Sequence, residues 1–228
     1  MSKYVIKNGR LAASDDFAEV GAGSYLISSI IADIYNDYIP EYVSGKLLDL
    51  GCGRIPLYAL YKDHIDDCVC IDWVNSAHHN ENLDIEANIS EPLPLENGSF
   101  DSIICSDVLE HIFNPVSVLD EMVRVCKTGG YIIVNTPFNY WIHEEPYDYN
   151  RYTPYFYEKY AETRDDIELV DLRTMGGTGP VLIDMIGKKL QGKLPHLVRW
   201  IQKQSFKGYK TKKVKGWTLG VAAVFKKI

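Results

Sequence analysis

The residues best placed to do chemistry in this chain sit where a strand should run out. In Lys46 to Pro56, KLLDLGCGRIP, the apolar Leu47, Leu48 and Leu50 read as a buried strand ending in Gly51-Cys52-Gly53. Two glycines one residue apart let the backbone approach a ligand that any Cβ would hold off. Asp49 stands at the strand end, where it can accept hydrogen bonds or face a cation. A dinucleotide fingerprint would place its third glycine at position 56, and Pro56 stands there. An acid two residues before Gly51 also suits a cationic ligand better than a pyrophosphate. The alternative is a strand that simply turns on glycine.

These residues need a frame. Cys68 to Asp72 (CVCID) predicts a second strand, and Asp72 at its tip can accept both hydroxyls of a ribose. Trp73 beside it offers a stacking face for adenine, or is an ordinary aromatic of core or surface. Further strands are expected at Asn82–Ile85, at DSIICS (Asp101–Ser106, opened by Phe100), at Tyr131–Thr136, Ile167–Leu172 and Thr218–Phe225. Helical spacing covers Ser24–Tyr38, stopped by Pro40, and Leu57–Lys62 continues the first crossover. Val116–Lys127 reads as a helix with Asn114 as cap, Pro115 in its first turn and Gly129-Gly130 at its exit. Pro154–Glu162 reads as another, capped by Thr153. Residues 1–21 show no period and are expected to form an irregular arm or a short helix. Strands alternating with helices predict an α/β fold.

Composition narrows the class. With 228 residues, 46% apolar and 24% charged, the chain is expected to be one soluble globular domain. We divide it into an N-terminal helical arm (1–45), a ligand-binding core (46–173), a basic helical insertion (174–217) and a final strand (218–228). Neither a signal core nor a membrane-spanning run is evident, so a cytoplasmic protein is expected. Its five cysteines read as reduced, buried thiols. Cys68-x-Cys70 lacks a second pair and His78-His79 lacks a third ligand, so no metal is expected.

Several segments together resemble the S-adenosylmethionine (SAM) methyltransferases of type 11. The family opens with acid-x-Gly-x-Gly-x-Gly, whose third glycine is Ile55 here. It continues with acid-x-x-x-LPF-x-x-x-SFD, matched by Asn88–Asp101 with Asn88 in the acid's place, and with VLEH-x-x-(D/N)-P, matched by Val108–Pro115. Its E-x-x-R-V-L-K-P-G-G helix corresponds to Glu121–Gly130, with Thr128 for the proline. The register holds from Leu47 to Pro137, and the chain is identified as a member of that group. The resemblance implies a Rossmann-like sheet of about seven strands, the last antiparallel, and SAM as cofactor. It implies that Asp49, Gly51, Cys52, Gly53, Asp72, Trp73, Asn88, Ile89 and Ser106 line the cofactor site.

In such a sheet ligands lie beyond the carboxyl ends of the strands. That brings in His111 and the polar, aromatic stretch Pro137–Pro154, PFNYWIHEEPYDYNRYTP. Related type 11 enzymes, many in bacterial surface-glycan pathways, carry a similar H-x-x-P-x-D-x-x-R-Y-T stretch. Its positions here are His143, Pro146, Asp148, Arg151, Tyr152 and Thr153. His143 is the first candidate for general base and His111 the second, and either could instead be structural. Asp148 and Arg151 could form an ion pair shaping the loop, or, with Tyr152, bind substrate. The expected acceptor is a small polar molecule, foremost a sugar or glycan-pathway hydroxyl.

The charge of −7 is unevenly spread. Ile186–Ile228 holds 12 Lys and Arg without any Asp or Glu, whereas the rest holds 12 against 31. Helical spacing over Pro180–Gln204, broken at Gly192 and Pro195, precedes a basic run Lys207–Lys215 with Tyr209 inside it and Trp217 after it. Residues 186–217 could therefore meet an anionic ligand or a membrane surface, cover the cleft, or form a homodimer face. Nucleic acid is a lesser candidate, because SDVLEH lacks the (D/N)-P-P-(Y/F) tetrad of many amino-methylating enzymes. A lipid-soluble acceptor, and a scaffold that has lost catalysis, remain alternatives.

Overall fold

The computed structural model describes residues 2–73, 83–207, 209 and 216–228. The chain opens with a hairpin, β1 (Tyr4–Lys7) and β2 (Arg10–Ala13), where the sequence predicts an irregular arm or short helix. Tyr4 and Leu11 explain the difference: both turn inward onto the core of the next helix. Helix α1 (Tyr25–Tyr42) follows, then β3 (Gly45–Leu50), the short α2 (Tyr58–Tyr61), β4 (Ile65–Asp72) and the two-residue β5 (Ile85–Glu86). Then come β6 (Phe100–Ser106), α3 (Pro115–Val125), β7 (Cys126–Pro137), α4 (Pro154–Glu162) and β8 (Ile167–Met175). Helices α5 (Thr178–Leu190) and α6 (Pro195–Lys207) lead to β9 (Gly220–Lys227).

Seven strands form one sheet in the order β5-β4-β3-β6-β7-β9-β8. The strands from β5 to β7 run parallel, and β9 inserts antiparallel between β7 and β8. Successive residues point to opposite layers, as the period of a strand demands. Leu47, Ile104 and Ile133 face α1, whereas Leu48, Ile103 and Val134 face the layer of α3 and α4. Burial on both faces is why these strands read as continuous apolar runs. From β3 the chain first builds outward through β4 and β5, then returns to lay β6 on the other side. The crevice at that reversal, beyond the ends of β3 and β6, is where such sheets bind ligands.

Four local expectations need correction. Pro40 lies inside α1, because its missing N–H falls in the last turn and Val43 still donates to the Ile39 carbonyl. Gly129-Gly130 do not end α3; they lie within β7, where the pairing jumps from Phe100–Cys126 to Ser102–Tyr131. At Gly130 a Cβ would lie 2.7 Å from the Asp101 carbonyl oxygen, so the bulge closes only on glycine. Neither Asn114 nor Thr153 caps its helix with its side chain. The third strand is Ile85–Glu86, and Asn82, like His78, His79 and most of Lys207–Lys215, lies outside the described residues.

The insertion is built inside out. Of the apolar residues at helical spacing in α5, Val181 is buried and Leu182, Met185 and Ile186 are exposed, and the helix buries Asp184, Gly187 and Lys188 alongside Val181. Helix α6 buries Val198, Arg199 and Gln202 and exposes Leu197, Trp200 and Ile201. The buried polar groups clasp the N-terminal segment. Gln202 accepts from the Leu26 N–H and donates to the Gly23 carbonyl, and Arg199 donates to the carbonyls of Ser14, Asp15 and Val20. Among the described residues no helix is long and apolar enough to cross a membrane.

Candidate active site

A cavity of about 780 Å³ opens at the reversal point. Its first wall is the loop after β3. Gly51 adopts φ +71 and Gly53 φ +51, the left-handed region that glycine enters without penalty. Ile55, in the place of the family's third glycine, adopts φ +46, which is costly for a β-branched residue. Gly51 is also required from within the protein, since a Cβ there would lie 2.4 Å from Val108 Cγ2. Asp72 closes this wall: its Oδ2 accepts the Gly53 N–H at 2.9 Å and its Oδ1 the Trp73 N–H at 2.7 Å. A carboxylate has further lone pairs, so the bonds to the loop leave room for a diol.

Asp49 lies beneath, 5% exposed, accepting a hydrogen bond from the Tyr61 hydroxyl at 2.9 Å. Burial pushes its carboxyl up to about 7, with the Asp72 charge adding and the Tyr61 hydroxyl opposing. A cation placed against it would restore the ionised form. Cys52, Asn88, Ile89 and Ser106 complete this half of the cavity, and the Trp73 ring meets Tyr147 edge-on at 5.0 Å.

The opposite wall comes from the turn after β6 and the segment after β7. Glu110, fully buried, has no hydrogen-bond partner for either carboxylate oxygen among the described residues. From its Oε1, His111 Nε2 lies at 3.8 Å and His143 Nε2 at 3.9 Å. The two imidazole rings meet edge to face at 4.7 Å, and Tyr140 packs on His143 at 5.0 Å. Burial raises the Glu110 carboxyl well above its ordinary value, and the Asp107 charge adds to this. Burial, then the neighbouring His111, lowers His143, so its ring is neutral near pH 7. Asp107 (φ +53) and Glu144 (φ +53) are both non-glycine residues held left-handed along this wall. Such strain is characteristic of positions that surrounding structure over-determines.

Every residue expected at the cofactor, and both histidines, border this cavity. Asp148, Arg151 and Tyr152 do not border it, and Asp148 and Arg151 form the loop-shaping ion pair that is one of the two roles expected of them. Arg151 is engaged by Asp148 through both of its terminal nitrogens and by the Trp141 carbonyl. The guanidinium holds the Asp148 carboxyl down to about 2. Tyr152 is a core residue whose hydroxyl donates to the Leu109 carbonyl. Spacing alone missed Glu110, Asp107 and Glu144. Glu110 lies inside the VLEH stretch, and its signal is a carboxylate next to a histidine in an otherwise apolar turn.

A parallel sheet reversed at β3, a glycine loop after it and an acid at the tip of β4 define a Rossmann-like methyltransferase. Residues 48–134 match the family model described as a methyltransferase domain. It is similar to the ubiquinone biosynthesis O-methyltransferase of Xanthomonas campestris pv. campestris (strain B100), 26% identical over 113 residues, covering 44% of this chain and 47% of that protein. The corresponding protein of Xanthomonas axonopodis pv. citri (strain 306) is 27% identical over 113 residues, covering 42% and 47%. The chain thus spans about half the length of the curated relatives it matches. In solved structures it resembles a SAM-dependent methyltransferase from Archaeoglobus fulgidus (TM-score 0.54, 16% identity, 87% of this chain and 93% of that one). It also resembles the [4+2]-cyclase SpnF (TM-score 0.58, 13% identity, 94% and 85%). That likeness concerns the fold alone, on which more than one chemistry is built.

Proposed function

We propose that this protein transfers a methyl group from SAM to a hydroxyl oxygen of a small acceptor. The carrying observation is a single cavity walled on one side by the glycine loop with Asp72 and on the other by His111 and His143. The residues fit SAM: the glycine loop keeps Cβ atoms off one wall, Asp72 suits a ribose diol, and buried Asp49 suits a positive charge. When bound, SAM supplies an electrophilic methyl group on a sulfonium. Asn88 and Ile89 flank the adenine end, with Trp73 as its stacking face. The chain's own work is to align the acceptor, exclude water and receive the hydroxyl proton. His143 Nε2 is the proton acceptor, neutral by virtue of its burial, and His111 is the alternative. Arg151 and Asp148 position the loop that carries His143, whose backbone N–H donates to Asp148 Oδ2 at 3.0 Å.

Oxygen as the methylated atom agrees with the names of the Xanthomonas relatives. A sugar or glycan-pathway hydroxyl follows the resemblance of Pro137–Pro154 to glycan enzymes. The exposed apolar face of α5 and α6 favours a second reading, a lipid-soluble acceptor met at an anionic membrane, because Lys189, Lys193 and Lys207 border that face. Flotation with phosphatidylglycerol but not phosphatidylcholine vesicles supports it, and absence from both removes it.

Calorimetric titration with SAM and S-adenosylhomocysteine tests the primary reading. Micromolar binding of either supports it, and no binding at millimolar ligand leaves a scaffold. Once an acceptor is in hand, His143→Ala is expected to leave SAM affinity intact and lower turnover by about 10²–10⁴. Normal turnover removes His143 as base.

A further inference from the structure

Two imidazole nitrogens and a buried carboxylate converge on one point of the second wall. The Tyr147 carbonyl lies 2.8 Å from His111 Nδ1, and a carbonyl cannot donate, so that nitrogen carries the proton and Nε2 presents its lone pair. His143 Nδ1 is buried 3.3 Å from Asp148 Oδ2, a carboxylate fixed by Arg151, and makes no hydrogen bond among the described residues; the negative charge on that side favours the proton on Nδ1 and the lone pair on Nε2. Both Nε2 atoms point at Glu110, whose oxygens are buried and have no hydrogen-bond partner among the described residues. Glu144 Oε2 approaches His111 Nε2 to 3.9 Å from the cavity side.

The spacing decides what belongs between them. Hydrogen bonds need about 2.7–3.2 Å, so at 3.8 and 3.9 Å no proton bridges Glu110 to either ring. An ion with bonds of about 2.0–2.1 Å places tetrahedral ligand atoms roughly 3.4 Å apart. One ligand atom from each of Glu110, His111 and His143 already lies within 4.8 Å of the others. The two contacts to Glu110 stand about half an ångström beyond that spacing and the widest separation in the trio at most about 1.4 Å beyond it, so the ion draws the three side chains inward on binding.

We infer that Glu110, His111 and His143 form a two-histidine, one-carboxylate site for a divalent first-row transition ion, Zn²⁺ or Mn²⁺, with a coordination position open to the cavity. Two imidazoles disfavour Mg²⁺ and Ca²⁺, which prefer oxygen. The Tyr147 carbonyl orients the His111 ring from behind, the usual support for a ligating histidine, and the Asp148 carboxylate stands 3.3 Å behind the His143 ring. Binding of the ion is independent of the acceptor's identity; its use in catalysis rests on the methyl-transfer reading. There the ion would polarise the acceptor hydroxyl as a Lewis acid and lower its pKa, the proton leaving to water in the open cavity while His143 Nε2 stays bound to the ion.

The test is equilibrium dialysis and calorimetry of chelator-stripped full-length protein with Zn²⁺ and with Mn²⁺, without SAM. One ion per chain is expected, with His143→Ala and Glu110→Gln each losing about tenfold or more in affinity. Exposed His196, replaced by Ala, should change nothing. The Co²⁺-loaded protein should show visible absorption bands that His143→Ala alters. Where Glu110→Gln fails to fold, His143→Ala decides. No binding, or binding unchanged in His143→Ala, overturns the inference. S-adenosylhomocysteine titration of the same stripped protein keeps the two readings apart. Its binding without metal binding refutes the metal site alone, and the reverse result refutes the methyl-transfer reading alone.

Discussion

Asp49 ties stability, pH and ligand binding together. Its carboxyl is raised from 3.8 to about 7 in the fold, chiefly by burial. A raised carboxyl means that the folded state holds the proton more tightly than the unfolded chain does. The stabilisation is therefore fully present below pH about 4 and is lost as pH rises to about 7. The shift corresponds to at most about 4 kcal/mol between those limits. Asp49→Asn keeps the shape and an acceptor for the Tyr61 hydroxyl but cannot ionise. At pH 8 it should be more stable than the wild type by up to about 4 kcal/mol, a melting shift on the order of 10 °C. At pH 4 the two should be nearly equal. The ligand reverses the order. Wild-type affinity for SAM should rise by about fivefold from pH 6 to 7 and about twofold more by pH 8, because only the ionised carboxylate attracts the cation. The variant should bind weakly at every pH. Melting curves at pH 4, 6 and 8 with SAM titrations at pH 6, 7 and 8 provide the assay. An Asp49→Asn variant less stable than wild type at pH 8, or a wild-type SAM affinity flat from pH 6 to 8, refutes the reasoning.

Gly51→Ala combines a left-handed backbone with a clash against Val108, and should cost about 3 kcal/mol or more and abolish SAM binding. Urea unfolding measures the first; a loss under about 1 kcal/mol would contradict it. Lys188 and Asp184 form a buried ion pair in α5, so Lys188→Met alone should destabilise by about 3–5 kcal/mol by stranding the carboxylate. Adding Asp184→Leu should restore most of the loss, and a double variant as unstable as the single one removes that explanation.

The central sheet was legible because parallel strands buried on both faces are apolar along most of their length, as Leu47, Leu48, Leu50 and Ile103–Cys105 show. The glycine loop and Asp72 were legible because their chemistry follows each strand end by one or two residues. Glu110 was hidden for the opposite reason: its partner His143 arrives from a different strand, and no spacing records that meeting. The N-terminal hairpin was hidden because each strand has four residues, too few to set a period. In α5, apolar periodicity showed a helix without saying which face is buried, since burial there also falls on Asp184 and Lys188, which pair with each other.

That inverted helix bears on the site itself. Lys188 Nζ lies 3.6 Å from the centre of the Tyr140 ring, and Tyr140 packs against His143. His143 in turn receives its orientation from Asp148, and Asp148 from Arg151. The histidine at the second wall is thus held between a buried cation on the insertion and an ion pair in its own loop. A cation against an aromatic face is favourable by about 0.5–2 kcal/mol, enough to bias the Tyr140 ring without locking it. The contact comes from α5 through Lys188, so the polar interior of the insertion, and not its exposed apolar face, is the part of the fold that bears on Tyr140 and through it on His143.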